Sequence, residues 1–217
     1  MQRELNKIAL VEDDALMLDF LETTINETES FICEETYTSA EKAIKYLPKS
    51  DVDIAIVDIR LPGESGIECV RQVKALRPDI QFMMYTMFDE GDKIFNSLKA
   101  GASGYLIKSA KSIASEETII AAIQELMAGG APMSPSIARK VTEFFFKTHT
   151  QMKELELLTK REVEVLDQLS KGLLYKEIAD QLHITTGTVK QHIHKIYQKL
   201  HVQNRTEAIN VYLGREV

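Results

Sequence analysis

The feature that most constrains the fold is the alternation of short apolar runs with helix-periodic segments over residues 1–130. Between the runs, apolar residues recur every three or four positions, as in Ile67, Val70 and Val73. Strands that alternate with helices indicate parallel βαβ units with right-handed crossovers. We therefore predict an α/β doubly wound, flavodoxin-like domain with a five-stranded parallel sheet, whose ligands bind at the carboxyl ends of the strands. The five runs are Lys7–Val11, Phe31–Glu35, Val52–Val57, Ile80–Thr86 and Gly104–Ile107.

A glycine- and proline-rich stretch, "AGGAPMSP" at residues 128–135, interrupts this alternation. We predict a first domain over residues 1–130, a linker with a helix over residues 131–154, and a second domain over residues 155–217. Phe144–Phe146 form a bulky apolar run in the linker helix, and we expect them to pack in a core rather than to bind a partner.

The net charge of −7 is unevenly distributed. Residues 1–130 carry 13 basic and 23 acidic residues, whereas residues 150–217 carry 10 and 9. The asymmetry indicates an acidic module joined to a small module with a basic face. That local face, rather than the total charge, favours a nucleic-acid partner. No acidic residue lies between Asp180 and Glu207, a stretch that contains Lys190, Lys195, Lys199 and Arg205.

The start of the chain, "MQRELNKIALVEDD", has too short an apolar core and too many charges for a signal peptide or a membrane span. Cys33 and Cys69 form neither a CxxC pattern nor a paired framework. Reduced thiols in a cytoplasmic protein, with no membrane partner, are therefore expected.

Polar side chains follow four of the predicted strands at the point where each strand ends. Since these ends share one edge of a parallel sheet, we expect the side chains to converge there. Clustered carboxylates favour a hard divalent cation, and Mg²⁺ is the best match. A lysine and a hydroxyl beside them suit phosphoryl transfer to the carboxylate of Asp58, which would act as the nucleophile. The converging set is Glu12, Asp13, Asp58, Thr86 and Lys108.

A single aspartate at a strand end is more often a turn or cap residue than a catalytic group. Asp14 illustrates the alternative, because it either caps the helix that begins after it or joins the acidic site. The complete set of five residues in the right strand order favours a functional site.

The C-terminal region contains four helix patterns, which predict an all-α four-helix domain. Thr159 with Glu162 and Asn204 with Glu207 have the spacing of capping boxes. The segments "YKEIADQL" and "TGTVKQHIHKIYQKL", joined by a short turn, have the proportions of a helix-turn-helix motif.

The second helix of this motif has two distinct faces. Val189, Ile193, Ile196 and Leu200 fall within one arc and should face the core. The opposite face carries amides, an imidazole and lysines but no acid, which suits base edges and phosphates in a DNA major groove. The predicted DNA contacts are Thr185, Thr186, Thr188, Lys190, Gln191, His194 and Lys195.

The motifs "LVEDD", "VDIRLPGESG" and "GASGYLIK", with Thr86 after the fourth strand, resemble the receiver domain of two-component response regulators. The resemblance covers residue 5 to about residue 130. It implies that a histidine kinase phosphorylates Asp58 and that Lys108 binds the phosphate. It also implies two switch residues and a Mg²⁺ site. The switch residues are Thr86 and Tyr105, and the metal ligands are Glu12, Asp13, Asp58 and the backbone carbonyl of Arg60.

The residues two positions after Asp58 and two after Thr86 affect the dephosphorylation rate in that family. Here they are Arg60 and Phe88, and neither suits the orientation of an attacking water. We therefore predict a long-lived phosphoryl group.

The C-terminal motifs "LTKREVEVL", "KEIADQLHIT", "TVKQHIHKIYQKL" and "NRTEA" resemble the DNA-binding domain of NarL/FixJ (LuxR-type) regulators over residues 156–213. The resemblance implies DNA contacts at Lys190, Gln191 and His194. Tyr175 replaces the usual asparagine, and His194 stands where lysine is common. In this family the last helix commonly forms the DNA-bound dimer. Here Ile209 and Val211–Leu213 are candidates, although core packing explains them equally well.

The sequence thus predicts a response regulator transcription factor, which is not an enzyme beyond its own phosphoryl transfer and slow autodephosphorylation. Its expected partners are DNA, a histidine kinase and, when phosphorylated or bound to DNA, a second copy of the chain. Two alternatives remain. One is a haloacid-dehalogenase-type phosphatase, whose nucleophile follows the first strand rather than the third. The other is a constitutive regulator whose receiver serves only as a dimerisation scaffold.

Overall fold

The computed structural model describes residues 5–108 and 115–214, with the backbone alone for residues 147–154. Strands and helices alternate through the N-terminal part, as the apolar pattern predicts. A short 3-10 turn at Leu47–Lys49 precedes the third strand. The elements are β1 Asn6–Val11, α1 Ala15–Asn26, β2 Phe31–Tyr37, α2 Ala40–Tyr46, β3 Ile54–Val57, α3 Gly66–Leu76, β4 Gln81–Thr86, α4 Gly91–Ala100, β5 Gly104–Ile107 and α5 Glu116–Met127.

The five strands form one parallel sheet in the order β2-β1-β3-β4-β5. The register sets Val11 opposite Val57, Val57 opposite Met84, and Thr86 opposite Ile107. The strands therefore end together, and the residues that follow them share one edge of the sheet. The predicted doubly wound architecture is confirmed.

Side chains alternate along each strand between two hydrophobic cores. Val57 faces the core formed with α2, α3 and α4, whereas its neighbour Ile56 faces the core formed with α1 and α5. Because both faces of the sheet are covered by helices, the central strand β3 is apolar at every position, whereas the edge strand β2 carries the exposed Glu34 and Thr36.

Asp14 is the N-cap of α1 and accepts hydrogen bonds from the backbone N–H groups of Leu16 and Met17, at 2.9 and 3.2 Å. This contact satisfies two donors that the first turn of a helix otherwise leaves unpaired. The capping alternative for Asp14 is therefore the one that the structure supports.

A long helix, α6 (Pro135–Glu156), follows the receiver-like fold, and the chain divides into two compact units at residues 141 and 142. The first turns of α6 belong to the first unit, where Ile137 is fully buried. Phe145 and Phe146 are 64% and 71% exposed, so the expectation of core packing is wrong for these two, whereas Phe144 is half-buried. Consecutive helical residues point about 100° apart and cannot share one face.

The second unit also contains four shorter helices around a core of its own. The capping box of Thr159 and Glu162 is present as predicted. Asn204 also caps its helix, but Glu207 accepts from the backbone N–H of Gln203 and from the side-chain amide of Asn204, whereas a capping box uses the backbone N–H of Asn204. The predicted four-helix domain is confirmed. The helices are α7 Lys160–Ser170, α8 Tyr175–Leu182, α9 Thr186–Lys199 and α10 Arg205–Leu213.

Both cysteines carry free thiols. Burial raises the pKa of Cys33 and that of Cys69 to about 12, which leaves both thiols protonated and unreactive at neutral pH. Within the described ranges, none of the helices combines the length and the hydropathy needed to cross a lipid bilayer.

Candidate functional site

The carboxyl edge of the sheet brings together a lysine and two carboxylates from three different strand ends. Lys108 follows β5, and its Nζ donates to Asp58 Oδ2 at 2.6 Å and to the carboxylate of Glu12. All three side chains are at least nine-tenths buried. A buried charge is stable only when it is paired, so Lys108 holds the two acids in place. The ion pair with Glu12 adds to the contact with Asp58 that the sequence suggested.

The backbone fixes these side chains because the sheet continues one residue beyond the strands. The N–H of Asp58 donates to the carbonyl of Val11 at 3.0 Å, and the N–H of Lys108 donates to that of Thr86 at 2.8 Å. Both side chains are therefore attached to backbone that is hydrogen-bonded within the sheet.

Gly66 is a site residue to which the sequence analysis gave no role. A Cβ at Gly66 would lie 1.8 Å from the backbone carbonyl oxygen of Asp58, so only glycine lets α3 begin this close to the acid. Its position in the motif "VDIRLPGESG" was the available signal.

Three carboxylates at this edge are arranged as a candidate cation site. Glu12, Asp13 and Asp58 each offer one oxygen, and these oxygens lie within 4.8 Å of one another. Such a set of oxygen donors fits a hard divalent cation such as Mg²⁺. Asp13 is exposed, which gives the site an open side toward solvent. Arg60 donates its N–H to Asp58 Oδ1 at 3.3 Å, and the role of its carbonyl stays a prediction.

Burial in this edge raises the pKa of Glu12. The hydrogen bond and positive charge of Lys108 oppose the increase, whereas the charge of Asp58 adds to it. The carboxylate of Glu12 thus depends on nearby cations to remain ionised, which is the behaviour expected of a residue in a cation site.

Thr86 and Tyr105, the two predicted switch residues, are both fully buried. Among the described residues, no group forms a hydrogen bond with Thr86 Oγ1, so this hydroxyl is free to donate to a new acceptor. The ring of Tyr105 points inward, and its hydroxyl donates to the carbonyl of Phe88 at 2.8 Å. The resemblance to receiver domains implies that this ring turns inward on phosphorylation, and in this structure it already points inward.

Arg60 and Phe88, the positions predicted to set the phosphoryl lifetime, differ in their surroundings. Arg60 is exposed, whereas Phe88 packs against the core beside α4, with Lys93 Nζ 5.7 Å from its ring centroid. Neither side chain places a carboxylate or an amide beside Asp58.

Helix α9 has the two faces that the sequence predicts. Val189, Ile193 and Ile196 are buried in the core of the second unit. Most of the predicted DNA-contacting side chains are exposed on the rest of the helix surface, and Thr188 is half-buried. The exposed members are Thr185, Thr186, Lys190, Gln191, His194 and Lys195.

The start of α9 is held by Thr185, whose Oγ1 accepts from the N–H of Thr188 at 3.1 Å and contacts the Thr188 hydroxyl at 2.9 Å. Thr185 is therefore a helix cap, and its hydroxyl is already engaged. His192 is half-buried, and its Nδ1 has no hydrogen-bond partner within the described part of the chain.

The residues of α10 divide between packing and exposure. Val211 is buried, and Ile209 and Tyr212 pack against the same core, whereas Leu213 is 44% exposed. Core packing thus accounts for most of the candidate dimer residues. Tyr175 also packs against this core rather than extending into solvent.

An acidic, lysine-containing edge of a receiver-type sheet in one unit and a helix-turn-helix motif in the other define the class of two-component response regulators with a DNA-binding output domain. Comparison with family models gives the same answer. Residues 8–124 match the response regulator receiver domain, and residues 156–212 match the bacterial regulatory proteins of the luxR family. The chain belongs to the LuxR-type response regulators, as the sequence predicts. It is therefore a transcriptional regulator rather than a phosphatase.

Relatives match over almost the whole chain. The transcriptional regulatory protein LnrK of Bacillus subtilis is 33% identical over 211 residues, which cover 93% of this chain and 94% of LnrK. The nitrate/nitrite response regulator protein homolog of Haemophilus influenzae is 31% identical over 202 residues, or 93% of each chain.

Two solved structures show the similarity in three dimensions. A LuxR-family response regulator from Aurantimonas sp. SI85-9A1 is 26% identical, with a TM-score of 0.59 over 64% of this chain and 97% of its own. RcsB of Salmonella typhimurium is 21% identical, with a TM-score of 0.62 over 99% of both chains, and it supports the fold.

Proposed function

We propose that a histidine kinase phosphorylates this regulator on Asp58 and that the phosphoryl group controls DNA binding by α9. The observation that carries this proposal is the contact of Lys108 with both Asp58 and Glu12. The contact places the ammonium group of Lys108 beside a carboxylate that can act as a nucleophile. After transfer, the same ammonium group can pair with a phosphoryl oxygen.

The transfer is a displacement at phosphorus. A carboxylate oxygen of Asp58 forms the new P–O bond while the P–N bond of the kinase phosphohistidine breaks. The bonding electrons stay on the imidazole nitrogen, which takes up a proton from solvent. Lys108 then donates to a phosphoryl oxygen instead of to the free carboxylate. Because this ammonium is fixed before the reaction, little reorganisation is needed when charge moves toward it.

Glu12, Asp13, Asp58 and the carbonyl of Arg60 would hold Mg²⁺ beside the acceptor. The bound ion supplies positive charge that offsets the charge of the transferring phosphoryl group. Glu12 is buried and Asp13 is exposed, so the site opens to solvent on the side of Asp13. The phosphoryl donor approaches from that side.

Thr86 and Tyr105 carry the signal away from Asp58. The unpaired hydroxyl of Thr86 gains a phosphoryl oxygen as acceptor, which draws the end of β4 toward the site. Tyr105 stays packed inward under the β4–α4 loop through its contact with Phe88. Phosphorylation thereby favours one of two pre-existing conformations.

The output follows from the exposed face of α9. Lys190, Gln191 and His194 contact base edges or the adjacent backbone, while Lys195 and the helix start at Thr185, Thr186 and Thr188 contact phosphates. Two copies bind paired half-sites when the receiver is phosphorylated. The receiver comprises residues 1–130, the linker residues 131–154 and the DNA-binding domain residues 155–217, and the protein acts in the cytoplasm.

Autodephosphorylation is slow. Neither Arg60 nor Phe88 provides an acid or an amide that could orient a water molecule for attack on the acyl phosphate. The protein therefore retains its phosphoryl group long enough for transcription to respond.

The test is incubation of the full chain with acetyl phosphate and Mg²⁺, followed by intact mass and peptide mapping. The expected result is one phosphoryl group on the wild-type chain and none on Asp58→Asn, with Asp19→Asn as the matched exposed control. Equal labelling of Asp58→Asn and the wild type would contradict Asp58 as the acceptor.

A further inference from the structure

The segment that follows α5 pairs with the edge of the receiver sheet. Pro132–Ser134 run parallel to β5, with a bridge between Met133 and Tyr105. The N–H of Tyr105 donates to the carbonyl of Pro132 at 2.8 Å, and the N–H of Ser134 donates to the carbonyl of Tyr105 at 3.2 Å. The backbone of this switch residue is thus held on its outer side by the start of the linker.

Ser134 extends this pairing by one more contact. Its Oγ accepts from the N–H of Ile107 at 3.1 Å, although serine at the start of a helix usually caps that helix with the same atom. Ile107 immediately precedes Lys108. The strand end that carries the phosphate-binding lysine is therefore fixed by β4 on one side and by the linker on the other.

The first turns of α6 contact the other switch element. Lys140 Nζ lies 2.9 Å from Asp89 Oδ2 and also donates to the backbone carbonyl of Asp89. Asp89 follows Phe88, whose backbone carbonyl accepts a hydrogen bond from the hydroxyl of Tyr105. The loop after Thr86 is thereby connected to α6 by an ion pair and a hydrogen bond.

Burial attaches this segment to the core of the receiver. Ile137 is fully buried and Pro132 is buried, and Met133 and Val141 pack against the same core as Tyr105. A Cβ at Gly104 would lie 3.0 Å from Pro132 Cγ, so glycine at the start of β5 permits this close approach.

We propose that residues 132–141, the docking segment, position the switch elements of the phosphorylation site and respond to its state. Lys140, Ser134 and the paired backbone are the positioning contacts. They connect α6 to the end of β5, which immediately precedes Lys108, and to the β4–α4 loop, which follows Thr86. This inference rests on the proposed phosphorylation of Asp58.

Coupling of this kind is reciprocal. If docking stabilises the arrangement that accepts a phosphoryl group, then a phosphoryl group stabilises docking. A substitution that weakens docking of the segment must lower the affinity of Asp58 for a phosphoryl group or its mimic. Occupation of the site at Asp58 must in turn protect the amides of the segment from hydrogen exchange. Since α6 continues toward the DNA-binding domain, the docking segment is the first part of the chain outside the α/β fold to register phosphorylation.

The test uses beryllium fluoride with Mg²⁺ as a non-covalent mimic of the phosphoryl group on the full chain. Calorimetric titration gives its affinity for the wild type, Ser134→Ala, Lys140→Glu, and Lys99→Glu, an exposed control on α4. The two segment variants should bind two- to fivefold more weakly, and Lys99→Glu should match the wild type. Asp89→Lys combined with Lys140→Glu should regain most of the affinity, since the ion pair is re-formed with reversed charges.

Amide hydrogen exchange on the same samples measures the reverse effect. Peptides from residues 132–141 should exchange several-fold more slowly in the wild type with beryllium fluoride than without it. Unchanged exchange there, or wild-type affinity in both single variants, would overturn the docking segment while leaving phosphorylation of Asp58 intact. Failure of the wild type to bind beryllium fluoride and to take up phosphate from acetyl phosphate would overturn the proposed function itself.

Discussion

Lys108 Nζ lies 2.6 Å from Asp58 Oδ2, although fifty residues separate the two in the chain. One follows β5 and the other follows β3, so only the parallel arrangement of the sheet can bring them together. The contact offsets the hydration that both charges lose on burial, and it places a positive charge beside the proposed phosphoacceptor. Each property leads to a different test.

Replacement of Lys108 should destabilise the receiver in a way that Mg²⁺ partly reverses. Lys108→Ala leaves two buried carboxylates facing each other, and we expect the free energy of unfolding to fall by about 1–3 kcal/mol. Millimolar Mg²⁺ should restore more stability to this variant than to the wild type, because a cation again offsets the acids. Urea unfolding with and without Mg²⁺ measures both effects.

Lys7→Ala is the matched control. Lys7 pairs with the exposed Asp51 at 3.0 Å, and a solvent-exposed ion pair contributes little to stability because water screens it. Equal unfolding curves for Lys108→Ala and Lys7→Ala would show that the buried cluster does not depend on Lys108.

Substitution of Arg60 should shorten the life of the phosphoryl group. Arg60→Asn introduces an amide two residues after the acceptor, where it can orient water, and the decay rate should rise several-fold. Decay of the phosphorylated mass after removal of acetyl phosphate gives the rate. Arg71→Asn, on the exposed surface of α3, should decay like the wild type. Phe88 is a poor choice for this test, because its ring packs against the core and substitution would also disturb folding.

Removal of a lysine from the predicted DNA face should reduce the dependence of binding on salt. Lys190→Ala deletes one charge near the DNA, so the slope of log K against log salt should become shallower by about 1 if this side chain meets a phosphate. Lys171→Ala, on the exposed end of α7, should leave the slope unchanged. The measurement is fluorescence anisotropy with a labelled duplex over a salt series, and equal slopes for Lys190→Ala and the wild type would remove Lys190 from the phosphate contacts.

Glu162 should stabilise the DNA-binding domain at neutral pH, and this contribution should be lost in acid. Burial tends to raise the pKa of Glu162, but hydrogen bonds from Lys199 and from Thr159 outweigh it, so the pKa lies below the ordinary value of 4.5. A lowered pKa in the folded state means that the carboxylate stabilises the domain above about pH 4.5 and that this contribution disappears as the pH falls further.

Glu162→Gln should therefore lower the free energy of unfolding by about 1–3 kcal/mol at neutral pH, and the loss should shrink as the solution becomes acidic below pH 4.5. Urea unfolding followed by circular dichroism across this range measures it. The exposed Glu164→Gln, which breaks only a surface pair with Arg161, serves as the comparison. A loss of the same size at every pH would contradict the assignment to the charged carboxylate.

Much of the fold and the site could be predicted because the decisive signals are local. Apolar runs identify the strands, and parallel pairing then places Asp58 and Lys108 at one edge whatever the loops do. The contact of Ser134 with Ile107 has no such signal, because it depends on where the chain returns to the sheet edge. The hydrogen bond from Tyr105 to the carbonyl of Phe88 also has no sequence signal, since the packing around the ring selects its rotamer. Phe145 and Phe146 were misjudged because apolar character does not specify which face of a helix is covered.

The most direct test of the account measures DNA binding and phosphorylation on the same sample. The full chain is incubated with acetyl phosphate and Mg²⁺, its phosphorylated fraction is read by intact mass, and its affinity is measured for a duplex selected by this protein from a random pool. The account predicts at least about tenfold tighter binding by the phosphorylated chain, which corresponds to about 1.4 kcal/mol, and no effect of acetyl phosphate on Asp58→Ala. Equal affinity of the phosphorylated and unphosphorylated wild type would contradict it and would favour a constitutive regulator.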